Sequence, residues 1–201
     1  MGRPKIHDDA LRGRLIDRAA ALVFDHGAGA LNLRRLAADA GTSTTAVYSL
    51  FGNKAGLLES LYLEAARRFG LRLAEVDATG DPVDDVVRLG IAYRDYALRE
   101  PHLYAIMFDR SAAEFDDDAR LEAAATIGPL VDAVRRGQES GALRKVGPEL
   151  VALSCWGVAH GLVSLELAGS VPPGLDVAAG YEDALRAMVD GWRESNVHSP
   201  N

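Results

Sequence analysis

Two threonines and a tyrosine near position 45 share one face of a short predicted helix. Thr44, Thr45 and Tyr48 lie at i, i+1 and i+4, directly after Ser43, whose side chain is a candidate helix N-cap. The opposite side of this helix is apolar: Val47, Leu50 and Phe51. Small hydroxyl side chains can reach base edges in the major groove of DNA, and a tyrosine hydroxyl can bind a phosphate. The pattern favours a DNA-reading face over a merely solvated one, for which lysine and glutamate are better suited.

A second short amphipathic helix is predicted just before this one. Its apolar positions recur at i, i+3, i+4 and i+7: Leu33, Leu36, Ala37 and Ala40. Asn32 can cap its first amides, and Gly41 permits the sharp exit from its last turn. Two short helices joined by a tight turn over 32–51 predict a helix-turn-helix.

Lys54 begins the following helix, directly after Asn53. The helix macrodipole disfavours a cation at that end by a few tenths to ~1 kcal/mol. A phosphate held jointly by the helix-end amides and the ammonium group would explain a lysine there. A solvated surface lysine is the alternative, and the neighbouring hydroxyl face favours the phosphate contact.

Residues 8–70 resemble the DNA-binding domain of the tetracycline-repressor (TetR) family of bacterial regulators. The specific signal is the pattern Y-x-x-F-x-x-K-x-x-L from Tyr48 to Leu57. The other matching residues are Ala19, Ala20, Phe24, Gly27, Leu33–Ala37, Ala40, Gly41 and Leu58. Leu50, where a polar or aromatic residue is common, and Gly56, which weakens a helical first turn, depart from the family pattern. With the residue pattern, the resemblance predicts these DNA-binding residues: Arg34, Ser43, Thr44, Thr45, Tyr48 and Lys54.

Residues 1–7 form a basic arm that we expect to be flexible. Arg3 and Lys5 suit a narrow minor groove, where the electrostatic potential is most negative. A disordered tail that only aids solubility is the alternative, and the similar arm of many family members favours DNA contact.

The charge distribution fits a DNA-binding module on an acidic body. The chain has 201 residues and a net charge of −7. Residues 1–70 hold ten Lys and Arg against seven Asp and Glu, whereas the remainder holds twelve against twenty-two. A single cysteine and the lack of an apolar leader behind the first residues predict a cytoplasmic protein.

The rest of the chain predicts an all-α fold, because no segment shows the alternation of a strand. One long helix from Lys54 to about residue 76 ties the DNA-reading module to a second domain over 82–196. Thr79–Pro82 mark the boundary, and further helices are predicted over 82–99, 102–108, 116–140 and 176–194. Gly128 and Pro129 should break or kink the third of these.

Residues 149–168 are apolar on almost every side, which allows three interpretations. A membrane span is disfavoured because His160 and Glu166 would be costly in lipid. A helix buried centrally in its own domain is the second, and a helix lying between its own core and a partner subunit is the third. We favour a homodimer interface, since Gly157 and Gly161 form a notch that lets another backbone approach.

The C-terminal half resembles a regulatory domain of the TetR family that is marked by a tryptophan, a histidine and a glycine in that order. Trp156, His160 and Gly161 carry this resemblance. Aromatic residues with a few polar tips typically line pockets for small apolar ligands. The predicted ligand-binding residues are Tyr93, Tyr96, Met107, Phe108, Trp156 and His160. A core histidine packed under a tryptophan is the alternative for the last two.

The sequence offers little for catalysis, metal or cofactor binding. It contains no HExxH, CxxC, GxSxG or phosphate-binding glycine loop, and its five histidines are scattered. Cys155 and His160 would lie roughly 140° apart around one helix, so they do not form a thiol–imidazole pair. We therefore predict no enzyme activity, no cofactor and no metal site.

Together these features predict a cytoplasmic, homodimeric, ligand-responsive transcriptional regulator. It is interpreted as a repressor that binds a palindromic operator in double-stranded DNA and is released by a small apolar or amphipathic effector. The alternative from another class is an α-helical enzyme or small-molecule carrier with an incidental helix-turn-helix.

Overall fold

A computed structural model describes residues 5–108 and 117–194 of the chain. The described chain is helical with no strand, and its one backbone pairing of the β type is an isolated bridge between Leu143 and Arg193. The prediction of an all-α fold is confirmed.

The N-terminal helices are α1 (Lys5–His26), α2 (Leu33–Asp39), α3 (Thr44–Phe51) and α4 (Lys54–Ala74), with a 3-10 turn over Ala28–Ala30. They are followed by α5 (Pro82–Arg99), α6 (Pro101–Met107) and α7 (Asp117–Ala124). The last three are α8 (Gly128–Glu139), α9 (Pro148–Leu167) and α10 (Val177–Asp190).

Some helix ends differ from the sequence-based ones. Residues 5–7, predicted as part of a flexible arm, are the first turn of α1. The segment 116–140 is interrupted, as predicted, because a 3-10 turn over Ala125–Ile127 precedes Pro129, which has no N–H to continue a helix. The last helix ends at Asp190, before the predicted end at residue 194. Trp192 lies beyond it, with the Arg144 guanidinium packed over its ring at 4.9 Å.

The chain divides into two compact units. The first comprises Met1–Arg68 and Glu100–Ala124. Its core contains Leu15 and Ile16 of α1, Val47 of α3 and Leu57 of α4. Leu103 and Ile106 of α6 are buried in the same core, so α6 packs with the N-terminal helices although the sequence suggested a contiguous second domain from residue 82. Amphipathic pattern predicts that α6 is buried but not which core buries it.

The second unit comprises Phe69–Arg99 and Ala125–Asn201. Within it α9 packs against α5, α8 and α10. One side of α9 is buried: Val151, Ala152, Cys155, Ala159 and Val163. In the described chain α9 is the helix that is long and apolar enough, by length and composition alone, to cross a membrane. Its buried side and the ion pair between Arg94 and Glu166 are features of a helix packed in a protein core.

A charged cluster ties α4 to α1 inside the first unit. Glu64 of α4 accepts hydrogen bonds from Arg67 at 2.7 Å and from Arg68 at 2.9 Å. Arg68 also pairs with Asp17 of α1 at 2.9 Å. The Glu64 side chain is only 11% exposed, and the hydrogen bond from Arg67 is the largest cause that lowers its pKa to about 2.

Replacing Glu64 by glutamine should lower the free energy of unfolding by about 1–2 kcal/mol at pH 7. The ionised Glu64 contributes stability above the pKa of the unfolded side chain, near 4.5, and this contribution is lost as the pH falls toward 2. Urea unfolding at pH 7 and at pH 3.5 should therefore show a larger difference between Glu64→Gln and the parent at pH 7. Glu59→Gln, on the same helix, is the control, and a Glu64→Gln difference that is equal at both pH values would contradict the assignment.

Candidate nucleic-acid interface and ligand cavity

The first helix of the predicted helix-turn-helix is capped as the sequence predicts. The Asn32 side-chain carbonyl accepts hydrogen bonds from the backbone amides of Arg34 at 3.0 Å and Arg35 at 3.2 Å. The turn that follows α2 uses Gly41 at φ = 65°, a conformation that other residues rarely adopt. Arg34 is exposed on α2.

The predicted DNA-reading helix α3 begins at a second cap. The Ser43 hydroxyl accepts a hydrogen bond from the Ala46 amide at 3.1 Å, which leaves its O–H free to donate to another group. Thr45 is exposed, Thr44 is half-buried, and Tyr48 is 51% exposed although it is a large aromatic residue. Three of the four predicted contact residues thus lie on the outer surface: Ser43 at the N-cap, Thr45 in the first turn and Tyr48 near the middle of the helix.

The other side of α3 anchors it in the N-terminal core. Val47 is fully buried and Phe51 is nearly so. The Arg12 guanidinium of α1 lies 5.8 Å from the centroid of the Phe51 ring, within the range of a cation–π interaction. The core therefore fixes which side of α3 faces outward.

Lys54 has a structural partner that the sequence did not indicate. Its ammonium donates a hydrogen bond to the Gly29 carbonyl at 2.9 Å, which ties the start of α4 to the 3-10 turn after α1. An ammonium carries three protons, so two remain available for a phosphate oxygen. The structure explains a cation at this helix start without DNA, and the predicted phosphate contact stays a prediction.

Gly56 is required by a close backbone approach between α3 and α4. A Cβ atom at this position would lie 2.3 Å from the Phe51 carbonyl oxygen, which is shorter than any real contact. The sequence suggested that this glycine only weakens the first turn of α4. Its absent side chain instead permits the tight connection from the DNA-reading helix to α4, and Asn53 caps that turn by accepting from the Gly56 amide at 2.9 Å.

The two basic residues of the predicted arm add no geometry to this interface. Arg3 lies outside the described residues, and Lys5 contributes its backbone to the first turn of α1. Their predicted minor-groove contact stays a prediction.

Four of the six predicted ligand-binding residues lie in the second unit and form a polar chain with aromatic neighbours. The Trp156 indole N–H donates to the Tyr93 hydroxyl at 3.4 Å, and this hydroxyl lies 2.9 Å from His160 Nδ1. Tyr96 is buried nearby, since Phe69 packs against both tyrosine rings at 5.3 and 5.4 Å. Burial lowers the pKa of His160, which favours the neutral imidazole.

The remaining two, Met107 and Phe108, belong to the first unit. Met107 packs against the N-terminal core, and the Phe108 ring lies 5.0 Å from that of Tyr104. Two of the six predicted residues thus belong to a different compact unit from the other four. Helical pattern marks these side chains as inward-facing but carries no information on the core they join.

A cavity in the second unit is lined by residues of five helices and one turn. The lining residues from α4, α5, the 3-10 turn and α8 are Leu73, Val86, Leu89, Gly90, Ile127 and Leu130. The lining from α9 and α10 is Cys155, Trp156, Ala159, Leu185, Met188 and Val189. Of the predicted ligand-binding residues only Trp156 is among them. Sequence reasoning missed the others because aliphatic side chains that line a cavity and those that fill a core have the same pattern.

Among the residues that the structure describes, none of those lining this cavity is charged. Its single thiol, Cys155, is kept protonated because burial raises the pKa to about 12. Within the described residues, no group of three or more His, Cys, Asp or Glu side chains could hold a metal ion.

The side of α9 that faces away from its unit carries exposed leucines and open glycines. Leu150, Leu153 and Leu165 are about half exposed, and a Cβ atom at Gly157 or Gly161 would meet no other atom within 4 Å. The five positions follow one helical stripe. An exposed apolar stripe of this kind is typical of a protein–protein contact.

The helix-turn-helix and the helical second unit define a class of one-component DNA-binding regulators. Comparison with known families gives the same result: residues 15–61 match the bacterial regulatory proteins of the tetR family. Residues 86–188 match the tetracyclin repressor-like C-terminal domain. The chain therefore belongs to the tetracycline-repressor family, whose members are DNA-binding transcriptional regulators and not enzymes.

Several known proteins are similar to this chain over nearly its full length and theirs. The HTH-type transcriptional repressor SCO4008 of Streptomyces coelicolor is 27% identical over 197 residues, covering 90% of this chain and 96% of that protein. A solved structure of a protein of unknown function from Rhodococcus sp. RHA1 has a TM-score of 0.80 at 25% identity, covering 92% and 96% of the two chains. The SmeT–triclosan complex has a TM-score of 0.71 at 23% identity, covers 95% of each chain, and supports the fold alone.

Replacing Gly56 by alanine should destabilise the first unit by roughly 1–3 kcal/mol, because the added methyl group would force α3 and α4 apart. Thermal unfolding followed by circular dichroism measures the effect. Gly13→Ala is the matched control: this glycine lies inside α1 with open space around its Cα, so alanine there should stabilise the helix by roughly 0.5–1 kcal/mol. A neutral or stabilising Gly56→Ala would refute the close approach.

Proposed function

We propose that the chain is a homodimeric, cytoplasmic repressor that leaves a palindromic operator when a small apolar molecule occupies the cavity of its second unit. The observation that carries this proposal is the position of α4. Its first residue, Lys54, follows the DNA-reading helix, and Leu73 in its last turn lines the cavity. One continuous helix thus joins the predicted reading face to the candidate effector site.

The DNA contact is proposed for the exposed face of α3 and the groups beside it. Thr44, Thr45 and Tyr48 are suited to base edges and phosphates, and the Ser43 hydroxyl retains a proton to donate. Arg34 on α2 and Lys54 at the start of α4 supply positive charge on either side. Arg3 and Lys5 of the arm would add minor-groove contacts.

The effector site is proposed for the cavity rather than for the six aromatic and sulfur-containing residues of the sequence prediction. Trp156 belongs to both sets, and the order Trp156, His160, Gly161 along α9 supports a second unit of the tryptophan-histidine-glycine type. The similar structure of SmeT, obtained as a complex with triclosan, supports a small molecule as the ligand class.

Release of DNA requires that the effector bind the two conformations of the protein with different affinity. A ligand pressing on Leu73 would favour one position of the last turn of α4. In a dimer this shift would change the spacing of the two α3 helices, and a palindromic operator accepts only one spacing.

The dimer contact is proposed for the outer sides of α9 and α10. The apolar stripe of Leu150, Leu153 and Leu165 supports it, since water-soluble proteins rarely leave such a surface uncovered. Gly157 and Gly161 would let the two α9 backbones approach closely. A four-helix interface of α9 and α10 with their symmetry mates follows from this arrangement.

DNA contact is tested by gel retardation with the DNA that flanks the protein's own gene. Lys54→Ala should weaken binding to all sequences and flatten the salt dependence of the binding constant by about one unit of slope. Thr44→Ala should instead relax the preference at one base pair by about 1–3 kcal/mol.

Lys145→Ala is the matched control, because it removes the same charge from an exposed loop of the second unit. Circular dichroism must show that Lys54→Ala remains folded, since it also loses the hydrogen bond to Gly29. Unchanged operator affinity in both Tyr48→Ala and Lys54→Ala would overturn the assigned interface. Absence of any DNA binding by the parent protein would overturn the proposal that it is a DNA-binding regulator.

The dimer is tested with two leucines that are both 54% exposed, Leu153 of α9 and Leu71 of α4. Leu153→Asp should place two buried charges in the interface and shift the protein to monomer, whereas Leu71→Asp should leave a dimer. Gly161→Leu should weaken the dimer by steric separation of the helices. Analytical ultracentrifugation at micromolar concentration measures this, and a monomeric parent protein would refute the interface.

A further inference from the structure

Arg12 occupies a position that the helical pattern of α1 assigns to an apolar residue. Leu15, Ile16 and Ala19 follow it at i+3, i+4 and i+7, and all three side chains are fully buried. The Arg12 side chain is 38% exposed, so part of it is withdrawn from water. A charged residue in such a position costs free energy unless specific partners compensate it.

The two partners of Arg12 come from two other helices. Its guanidinium carbon lies 5.8 Å from the centroid of the Phe51 ring of α3, and its Nη1 atom lies 3.9 Å from Glu64 Oε2 of α4. Arginine suits both partners at once, because its planar and permanently charged group packs on an aromatic face and pairs with a carboxylate. Arg12 thus connects α1, α3 and α4 through one side chain.

Glu64 is held in place by other residues besides Arg12. Arg67 donates two hydrogen bonds to its carboxylate, at 2.7 and 2.8 Å, and Arg68 donates one at 2.9 Å. Arg68 in turn pairs with Asp17 of α1. Because charge-assisted hydrogen bonds of this kind are strong, the Glu64 carboxylate is a fixed anchor for the Arg12 guanidinium.

Phe51 is the last residue of α3, so its position sets one end of the DNA-reading helix. The helix has eight residues and is roughly 12 Å long. Its two buried residues are Val47 and Phe51. A displacement of the Phe51 ring would therefore tilt α3 about Val47 and move the exposed hydroxyl groups at its other end.

We infer that Arg12 is a positioning residue of the DNA-reading helix: anchored by Glu64, it fixes the Phe51 ring and thereby the tilt of α3. The inference rests on the proposed function in taking α3 as the reading helix. Hydrogen bonds to base edges weaken steeply when their geometry is lost, whereas attraction to phosphates is less directional. Loss of Arg12 should therefore reduce binding to the operator more than binding to unrelated DNA.

Gel retardation with the DNA that flanks the protein's own gene, and with unrelated DNA of the same length, tests this expectation. Arg12→Met removes the guanidinium and keeps an unbranched side chain. It should weaken operator binding on the order of tenfold, because both copies of α3 in a dimer are affected. Binding to unrelated DNA and its salt dependence should stay unchanged. Arg12→Lys, which keeps a cation beside the ring, should retain part of the operator affinity.

Two neighbouring residues of α1 supply matched controls. Arg14→Met makes the same substitution at an exposed position, and Asp17→Asn removes the partner of Arg68 from the same charged cluster. Both leave the Arg12 guanidinium beside the Phe51 ring, so the ratio of operator binding to unrelated binding should not change. All variants are compared well below their unfolding temperatures, where a loss of stability alone leaves the affinity of the folded protein unaltered.

A double-mutant cycle tests whether Arg12 acts through Phe51. Phe51→Leu removes the ring, so adding Arg12→Met should have little further effect on operator affinity. Should Phe51→Leu fail to fold, Phe51→Met makes the same test with an unbranched side chain. Fully additive losses would overturn the inference, as would unchanged operator affinity in Arg12→Met.

Direct contact of Arg12 with a phosphate would give a different result. Arg12→Met would then weaken binding to all sequences alike and reduce the salt slope by about one unit, which would also overturn the positioning role. The proposed function is read from the parent protein in the same assay. A parent that binds no DNA would contradict the regulator and the inference together, whereas a binding parent with an unaffected Arg12→Met variant would contradict the inference alone.

Discussion

A single helix buries side chains in two separate hydrophobic cores, and much of the architecture follows from this constraint. The first part of α4 places Leu57, Leu61 and Ala65 in the core of the first unit. Its last turns place Phe69 and Leu73 among the buried residues of the second unit. The boundary between the two units therefore falls inside this helix, between Arg68 and Phe69.

The elements set by local chemistry could be read from the sequence. The caps at Asn32 and Ser43, the positive φ of Gly41 and the buried sides of α2 and α3 all depend on residues within one or two helical turns. The all-α fold follows from the same signals repeated along the chain. The apolar stripe of α9 also has a sequence signature, since the helix is apolar on more sides than its own unit covers.

Features that depend on contacts between distant segments could not be read in this way. The hydrogen bond from Lys54 to Gly29 joins residues 25 apart in the sequence. It gives a structural reason for a lysine at the start of α4, which the sequence-based interpretation explained by a phosphate contact. The sequence indicates that Gly56 weakens the first turn of α4. The structure shows that the Phe51 carbonyl oxygen lies too close for any side chain at this position. Met107 and Trp156 share a composition typical of ligand sites but belong to different units.

If the cavity is the effector site, as we propose, its chemistry limits how an effector acts on DNA binding. A ligand without charges or strong hydrogen bonds can distinguish two conformations only through the apolar area and packing that differ between them. A coupling free energy of 1–3 kcal/mol, typical of allosteric proteins, corresponds to a difference of roughly 40–120 Å² of buried apolar surface at about 25 cal/mol per Å². That is about the contact area of one or two aliphatic side chains. The movement of a single wall residue such as Leu73, in the last turn of α4, is therefore large enough in energy to carry the response without a rearrangement of the whole unit.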